Sequence, residues 1–370
     1  MRERFAGSGA LAFAQAVISQ QEEQLLPFLR AFEALQEQLH LAKVAQHKQD
    51  LLDKVGDLFP PLNAALDGLT VPPGLEEFHQ KWRAAVAHLE DAYTSFLSGS
   101  EFNFLVAYFQ SRRAFSLGKY LLYSLRTHLP TLQQYWLLPE VLPRRAELET
   151  PVAGVAASIG VMHRPGTDAH SEYSLYVPET YDPNQRWPLI IALHGGHGRG
   201  DDYLLTWLRP AKSKGYIVLS PKSLDRTWSI YQPNRDIRSI LSILEALLDE
   251  YAIDTGRIFV TGLSDGGTFA YALGLSCPTL FAGIAPVAGV LPPWFDLQHS
   301  KALPVFIVHG AQDFIFPVAT ARTTYTLLTQ SEFVNVTYKE LPDWGHAYPY
   351  SINETLLLPW FESLPSRSPG

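Results

Sequence analysis

The sequence predicts an α/β protein in which a mostly parallel, doubly wound sheet is preceded by an all-α helical domain. Before about residue 138, apolar residues recur at spacings of three and four without strand alternation. After about residue 150, short apolar runs alternate with long helical patterns, as in a parallel sheet covered by helices on both faces. The length of 370 residues also favours two domains, because one core stops growing at about 250–300 residues.

The helical domain is predicted over residues 1–145. One apolar stripe runs from Phe28 to Leu39, and another runs from Leu75 to Phe96. Proline and glycine divide the region into four to six helices, with breaks at Pro60-Pro61, at Pro72-Pro73-Gly74 and at Ser98-Gly99-Ser100.

The segment from Phe102 to Tyr123 carries more aromatic residues than one helix stripe can bury. Most of them are expected in the core of the helical domain. For the surplus, two interpretations stay open: the segment packs over the mouth of an active site, or it forms a homo-oligomer interface.

The second domain is predicted over residues 150–366, after a linker at Pro139–Pro151 where proline and charge disfavour helix and strand. A helix is expected over Asp236–Tyr251, where the apolar residues keep one face. The predicted strands are Val152–Met162, Glu172–Val177, Trp187–Leu193, Tyr216–Leu219, Ile258–Val260, Ile284–Ala288, Val305–Gly310 and Val334–Leu341.

A Gly-x-Ser-x-Gly turn at residues 262–266 lies between a β-branched run and a stretch of small residues at helical spacing. A strand, a sharp turn and a helix in this order present a serine hydroxyl at the edge of a sheet. Ser264 is therefore the candidate nucleophile. An ordinary glycine turn is the competing interpretation.

A serine needs a base, and the base needs a group to orient it. Asp313 follows the predicted strand Val305–Gly310, and His346 follows the strand that ends at Leu341. Parallel strands end at one edge of a sheet, so both residues are expected near Ser264. Asp343 is the alternative to Asp313 as orienter.

The buried run Trp187–Leu193 ends in His194-Gly195-Gly196-His197-Gly198. Such a glycine-rich end allows a backbone N–H to approach a substrate carbonyl oxygen, and the residue after the serine supplies a second N–H. Gly196 and Asp265 are the candidate oxyanion donors, with His197 as the alternative to Gly196.

These motifs resemble those of α/β-hydrolases, in particular small carboxylesterase/phospholipase and polyhydroxybutyrate depolymerase-like esterases. The matching residues are Leu193-His194-Gly195-Gly196, the stretch Arg257–Gly267, His309-Gly310 with Asp313, and Gly345-His346. The resemblance covers about Val152 to Leu364 and implies an α/β-hydrolase fold in which Ser264, Asp313 and His346 form a catalytic triad. It identifies no family for the first 150 residues.

Several tryptophans follow predicted strands and are candidates to line a substrate pocket. Trp228 and Trp344 are the substrate-binding candidates, and Trp294 with Phe295 is a further one. For each of them, packing in the core is the competing interpretation.

The composition excludes several classes of partner. With a net charge of −8 and no basic run, a nucleic-acid partner is not expected. No uninterrupted apolar stretch approaches about 20 residues, so no membrane span is expected. The pair His194 and His197 lacks further ligands for a metal, and no cofactor is expected. A single cysteine, Cys277, and no clear signal peptide indicate a cytoplasmic protein.

The expected function is hydrolysis of small-molecule carboxylic esters through a Ser-His-Asp triad and an acyl-enzyme intermediate. A serine peptidase or thioesterase would use the same machinery and stays open. A helical interaction module with a vestigial hydrolase domain is the alternative from another class.

Overall fold

A computed structural model describes residues 19–100, 102–167 and 171–367. The chain divides into two compact units. Of the described residues, those up to Leu35 and those within Leu41–Arg145 form the helical unit. The sheet unit consists of Gln36–His40 together with the described residues from Ala146 onward.

The first part of the chain folds into helices, as predicted. They are α1 (Ser19–Glu37), α2 (Val44–Val55), α3 (Phe59–Asp67), α4 (Glu76–Ser98), α5 (Phe104–Leu125) and α6 (Pro130–Tyr135), with short 3-10 helices at Leu41–Lys43 and Arg126–His128. The predicted stripe on α4 is buried: Trp82, Val86 and Leu89 have no exposed surface. Helices α4 and α5 pack against each other over their length.

The prolines at Pro60-Pro61 begin a helix, so the prediction that they break one is wrong. They occupy the first turn of α3, where a missing N–H costs nothing because the first N–H groups of a helix have no intrahelical acceptor. The break lies earlier, where α2 ends at Val55 and Gly56 follows.

A buried ion pair lies within the helical unit. Lys119 Nζ is 2.5 Å from Glu33 Oε1, and the two side chains are 1% and 8% exposed. The Tyr135 hydroxyl donates to the same carboxylate oxygen, and Lys119 Nζ lies 5.3 Å from the centre of the Phe115 ring. The two opposite charges therefore compensate each other where both side chains are buried.

The aromatic segment divides between interior and surface. Phe104, Phe115 and Tyr123 are buried, as expected for most of the segment, whereas Phe102 is 99% exposed and Phe109 is 44% exposed. Homo-oligomerisation through this surface stays a prediction.

The predicted linker is more regular than its proline content indicated. It holds a 3-10 helix at Pro139–Arg144 and one helical turn, α7 (Arg145–Leu148). Proline is tolerated there because Pro139 stands at the start of the 3-10 helix. The side chains of Arg144 and Arg145 are exposed.

The sheet unit contains one eight-stranded sheet in the order β1-β2-β4-β3-β5-β6-β7-β8. Strands β1 and β2 pair antiparallel with each other, and β2 pairs antiparallel with β4. The six strands β3 to β8 run parallel to one another. The strands are β1 (Gly160–Pro165), β2 (Glu172–Val177), β3 (Trp187–Leu193), β4 (Ile217–Pro221), β5 (Ile253–Leu263), β6 (Gly283–Val287), β7 (Val305–Gly310) and β8 (Val336–Leu341). The carboxyl ends of six parallel strands therefore lie at one edge.

Helices connect and cover the strands. They are α8 (Gly200–Lys214), α9 (Asn234–Glu250), α10 (Asp265–Ser276), α11 (Val318–Gln330) and α12 (Leu358–Ser363), with a π-helical turn at Asn353–Leu357 before α12. Successive residues of the central strands, such as Ile190 and Ile191 in β3, have no exposed surface, so both faces are covered. The predicted α/β fold class is confirmed. The first strand is shorter than predicted, because a turn at Gly154 precedes it and pairing begins only at Gly160.

Candidate active site

Ser264 lies in a sharp turn between β5 and α10. Its φ of 59° and ψ of −120° form a conformation that non-glycine residues rarely adopt, and holding it costs about 1–3 kcal/mol. The Ser264 N–H donates to the Val287 carbonyl at 2.9 Å, and the Ser264 carbonyl accepts the Thr268 N–H at 2.8 Å. A Cβ at Gly266 would lie 2.3 Å from the Leu193 carbonyl oxygen, so the turn admits only glycine there. The backbone thus presents the half-buried serine at the edge where the parallel strands end.

Asp313 and His346 form a hydrogen-bonded pair at the ends of β7 and β8. His346 Nδ1 lies 2.8 Å from Asp313 Oδ2. The other carboxylate oxygen accepts the N–H groups of Ile315 and Phe316, both at 2.8 Å. The Gln312 N–H also donates to the Trp344 carbonyl at 2.9 Å, which joins the two loops.

The environment of Asp313 keeps its side chain ionised. Burial by itself raises the pKa of this carboxyl, but hydrogen bonds from His309, His346 and the Phe316 N–H outweigh it and hold the pKa well below its ordinary value. An ionised carboxylate only accepts hydrogen bonds, so His346 Nδ1 carries the proton. His346 Nε2 is then the atom that is able to accept a proton.

His309 supports the acid from behind. It is fully buried, and its Nε2 lies 2.8 Å from the Phe316 carbonyl oxygen and 3.3 Å from Asp313 Oδ2. Both neighbours are acceptors, so this nitrogen carries the proton and donates. The sequence did not indicate that His309 would contact Asp313.

Gly196 is better placed than His197 as an oxyanion donor. The His197 N–H donates to the Arg226 carbonyl at 3.0 Å, so it is already used. Within residues 19–100, 102–167 and 171–367, the Gly196 N–H has no acceptor. Asp265 begins α10, and the first N–H of a helix has no intrahelical acceptor. Two N–H groups thus remain for a substrate oxygen.

The loop that holds Gly196 is fixed by its neighbours. His194 Nδ1 donates to the Gly195 carbonyl at 2.7 Å, and its Nε2 accepts the Ser223 N–H at 3.1 Å. The Thr227 hydroxyl donates to the Asp265 carboxylate at 2.6 Å, which joins the loop after β4 to the start of α10. Both ring nitrogens of His194 are therefore engaged with the protein.

The structure treats the two substrate-binding candidates differently. Trp228 is 2% exposed, stacks on Phe269 with ring centres 4.9 Å apart, and donates its indole N–H to the His194 carbonyl at 2.7 Å. These contacts place it in the interior below the Gly196 loop, which is the competing interpretation for this residue. Trp344 is half-buried, two residues before His346.

Apolar side chains that sequence reasoning missed surround His346. Phe316 stands edge-on to the imidazole with ring centres 5.5 Å apart, and the Phe314 ring lies at 6.5 Å. Phe314 and Ile315 are 40% and 48% exposed. Their position directly after Asp313 was the available signal.

A second exposed aromatic group lies on two other loops at the same edge. Tyr231, after β4, stacks on Trp294, after β6, with ring centres 5.1 Å apart. Their exposed fractions are 84% and 53%. In the sheet, β3 and β5 lie between β4 and β6, so this contact joins loops from either side of the strands that carry Gly196 and Ser264.

Residues 226–356 match a family model described as Phospholipase/Carboxylesterase. The predicted resemblance to carboxylesterases is confirmed. The sheet unit has an α/β-hydrolase fold.

Relatives of this α/β-hydrolase unit include named esterases. The chain is 32% identical over 154 residues to the bifunctional acetylxylan esterase/xylanase XynS20E of Neocallimastix patriciarum, covering 40% of this chain and 22% of the relative. It is 28% identical over 154 residues to feruloyl esterase C of Emericella nidulans, covering 40% of this chain and 56% of the relative. The chain thus spans little more than half of the second relative and less of the first. A solved structure of a thermostable esterase gives a TM-score of 0.49 at 25% identity, over 56% of this chain and 63% of that one.

The described residues contain neither a candidate metal cluster nor a candidate membrane-spanning helix. Outside residues 1–18, 101, 168–170 and 368–370, no group of three or more His, Cys, Asp or Glu side chains could hold a metal ion. Over the same part of the chain, no helix is long and apolar enough to cross a membrane.

Proposed function

We propose that the α/β-hydrolase unit hydrolyses small-molecule carboxylic esters, with Ser264 as nucleophile, His346 as base and Asp313 as its orienting acid. The observation that carries the proposal is the meeting of three features at one edge of the sheet. They are a serine in a strained turn, a histidine paired with an ionised carboxylate, and two N–H groups without an acceptor among the residues that the structure describes. This arrangement suits attack on a carbonyl carbon.

In the first half of the reaction, Ser264 Oγ forms a bond to the ester carbonyl carbon while its proton passes to His346 Nε2. The carbonyl oxygen becomes an oxyanion, which the N–H groups of Gly196 and Asp265 bind. The carbon–oxygen bond to the alcohol then breaks, and the alcohol leaves with the proton from His346. Asp313 stabilises the imidazolium that exists between these two transfers.

In the second half, water attacks the acyl carbon of the Ser264 ester, and its proton passes to His346 Nε2. The bond from the acyl carbon to Ser264 Oγ breaks, the serine regains its proton, and the carboxylic acid is released. In this structure no hydrogen bond joins Ser264 to His346 among the described residues. Catalytic hydrogen bonds are frequently long in unliganded enzymes and shorten when substrate binds.

The surroundings of the base favour an apolar acyl or alcohol group. Phe314, Ile315 and Phe316 present apolar surface around His346. Half-buried Trp344 is proposed to line the substrate pocket with them. Two of the relatives are named for feruloyl and acetylxylan esters, so aryl and acetyl esters are the first substrates to test.

A fluorophosphonate probe and a panel of substrates test the proposal. The probe should label Ser264 in the intact protein, and 4-nitrophenyl esters of increasing chain length, a feruloyl ester, a thioester and a prolyl amide should rank the substrate classes. An unlabelled protein would favour the alternative of a helical interaction module with a vestigial hydrolase domain. Faster turnover of the amide would favour a peptidase, and faster turnover of the thioester would favour a thioesterase.

Variants complete the test. Ser264→Ala and His346→Ala should each lower kcat by about 10⁴- to 10⁶-fold, and the double variant should be little worse, because members of a triad act as a unit. His299→Ala is the matched control, because His299 forms an exposed pair with Asp296 at 3.1 Å. Losses that multiply in the double variant would contradict a shared mechanism.

A further inference from the structure

Five residues from the first part of the chain, Gln36–His40, belong to the sheet unit. Two of them bind the segment that follows the catalytic base. The Tyr348 N–H donates to the Gln36 carbonyl at 3.2 Å. The Tyr350 N–H donates to Glu37 Oε1 at 2.6 Å, and the Ser351 N–H donates to the same oxygen.

The hydrogen bond from Tyr350 to Glu37 lies in the interior, and the one from Ser351 is partly buried. Glu37 is 9% exposed, and Tyr348 and Tyr350 are 4% and 5% exposed. Hydrogen bonds from backbone N–H groups to a carboxylate are roughly twice as strong as those between neutral groups. A buried N–H group that loses its acceptor also lowers the stability of the fold. The position of residues 348–351 therefore depends on Glu37.

The same five residues also touch the loop on the near side of the base. A Cβ at Gly345, directly before His346, would lie 3.0 Å from the Leu39 carbonyl oxygen. The His40 ring lies 6.3 Å from the Phe314 ring, which in turn lies 6.5 Å from the His346 ring. The segment Gln36–His40 thus contacts residues before His346, residues after it, and the Phe314 ring beside it.

Two supports therefore hold the loop of His346. One comes from the neighbouring strand end, through Asp313 and through the bond from the Gln312 N–H to the Trp344 carbonyl. The other comes from Gln36–His40. With only the first support, residues 348–351 would lose the carboxylate that their N–H groups bind, and the imidazole would be free to move away from Ser264.

We infer that Glu37 is a positioning residue for the base: it fixes residues 348–351 and so holds His346 in line with Ser264. The inference rests on the proposed function of Ser264 and His346. Glu37 lies outside residues 226–356, which match the family model, so a part of the chain beyond that match would contribute to turnover by positioning the base.

Three substitutions separate the hydrogen bonds from the charge. Glu37→Gln keeps an acceptor oxygen at the same distance along the side chain, Glu37→Asp keeps the charge but shortens the reach, and Glu37→Ala removes both. The measurement is kcat and KM with a 4-nitrophenyl ester in the full chain. Each kcat is divided by the concentration of sites that a fluorophosphonate labels at the end point, so that unfolded protein does not count.

We expect kcat per labelled site to fall about 10- to 100-fold in Glu37→Ala, less in Glu37→Asp and least in Glu37→Gln, because displacements of about 1 Å at a catalytic group cost up to about 10²-fold. KM should change much less than kcat, since the loss falls on the base. If Glu37→Ala does not fold, the other two variants give the test. The value of kcat per labelled site should then fall more in Glu37→Asp than in Glu37→Gln.

Glu22→Ala is the matched control. Glu22 is on the same helix, is 1% exposed, and its carboxylate accepts the Leu132 N–H within the helical unit. Its loss should lower stability and the number of labelled sites without changing kcat per site. A purely structural role of Glu37 would give this same result for Glu37→Ala and Glu37→Asp, and would overturn the inference.

Ser264→Ala distinguishes a failure of the inference about Glu37 from a failure of the proposed function. If this variant is inactive while the Glu37 series keeps wild-type kcat per site, only the role of Glu37 is wrong. If Ser264→Ala keeps its activity, the proposed function is wrong and the inference falls with it.

Discussion

Asp313→Asn tests the acid–base pair most directly, because the structure dictates how the new amide must be oriented. Asp313 Oδ1 accepts two backbone N–H groups at 2.8 Å. The amide oxygen of asparagine has to take that place, since an NH₂ group there would face two donors. The NH₂ group then occupies the position of Oδ2, 2.8 Å from His346 Nδ1 and 3.3 Å from His309 Nε2, whose proton the Phe316 carbonyl accepts at the shorter distance of 2.8 Å.

A donor at that position changes the tautomer of the base. His346 Nδ1 must accept rather than donate, so the proton moves to Nε2, and Nε2 is no longer able to take the proton of Ser264. The negative charge that stabilises the imidazolium is lost as well. Together these effects should lower kcat by about 10⁴-fold, or about 5 kcal/mol at about 1.4 kcal/mol for each factor of ten.

The assay is steady-state hydrolysis of a 4-nitrophenyl ester, with circular dichroism to establish that the variant is folded. Asp343→Asn is the control, because it removes an equal charge from an exposed residue of the same loop and should cost far less. A loss below about tenfold for Asp313→Asn, or an equal loss for Asp343→Asn, would refute the assignment of the acid.

Three further predictions concern stability and domain organisation. Because the pKa of Asp313 is lower in the folded protein than its ordinary value of about 3.9, its carboxylate contributes stability that is present above that value and is lost as the pH falls below it. The free energy of unfolding in urea should therefore decrease more steeply toward about pH 3 in the wild type than in Asp313→Asn, and parallel curves would contradict this. Lys119→Met removes the cation that lies 2.5 Å from the buried Glu33 carboxylate and should cost about 3–5 kcal/mol of unfolding free energy. Combining it with Glu33→Gln should cost less, and equal costs would show that the buried charge is not the cause. Trypsin should cut first after the exposed Arg144 or Arg145, as the predicted boundary between residues 145 and 150 requires, and mass spectrometry of early fragments would disprove that boundary if the first cuts fall within the sheet.

The fold, and the positions of the candidate site residues at the ends of strands, were predictable because their signals are local. Ser264 has its glycines within two residues, and the loops of Asp313 and His346 each follow an apolar run that reads as a strand. Parallel strands then bring such loop residues to one edge, whatever their separation along the chain. The same reasoning favoured Gly196 over His197, and the bond from the His197 N–H to the Arg226 carbonyl supports that preference.

Other features depend on contacts that leave no pattern in the sequence. A tryptophan in a loop after a strand has the same local sequence whether it lines a pocket or packs inward, and Trp228 packs inward because Phe269 and the His194 carbonyl meet it there. The contact between Glu37 and Tyr350 joins residues 313 positions apart. Glu37 also ends a helix, where a glutamate reads as an ordinary exposed residue.

The separation between Glu37 and Tyr350 has a consequence for biosynthesis. Ribosomes add about 5–20 residues per second, so the acceptor is made roughly 15–60 s before the donors that it binds. During that interval the carboxylate of Glu37 lacks the N–H groups of residues 350–351, because they have not yet been made. The loop of the base therefore reaches its final position only after residues 350–351 have been made, although Glu37 belongs to the first part of the chain.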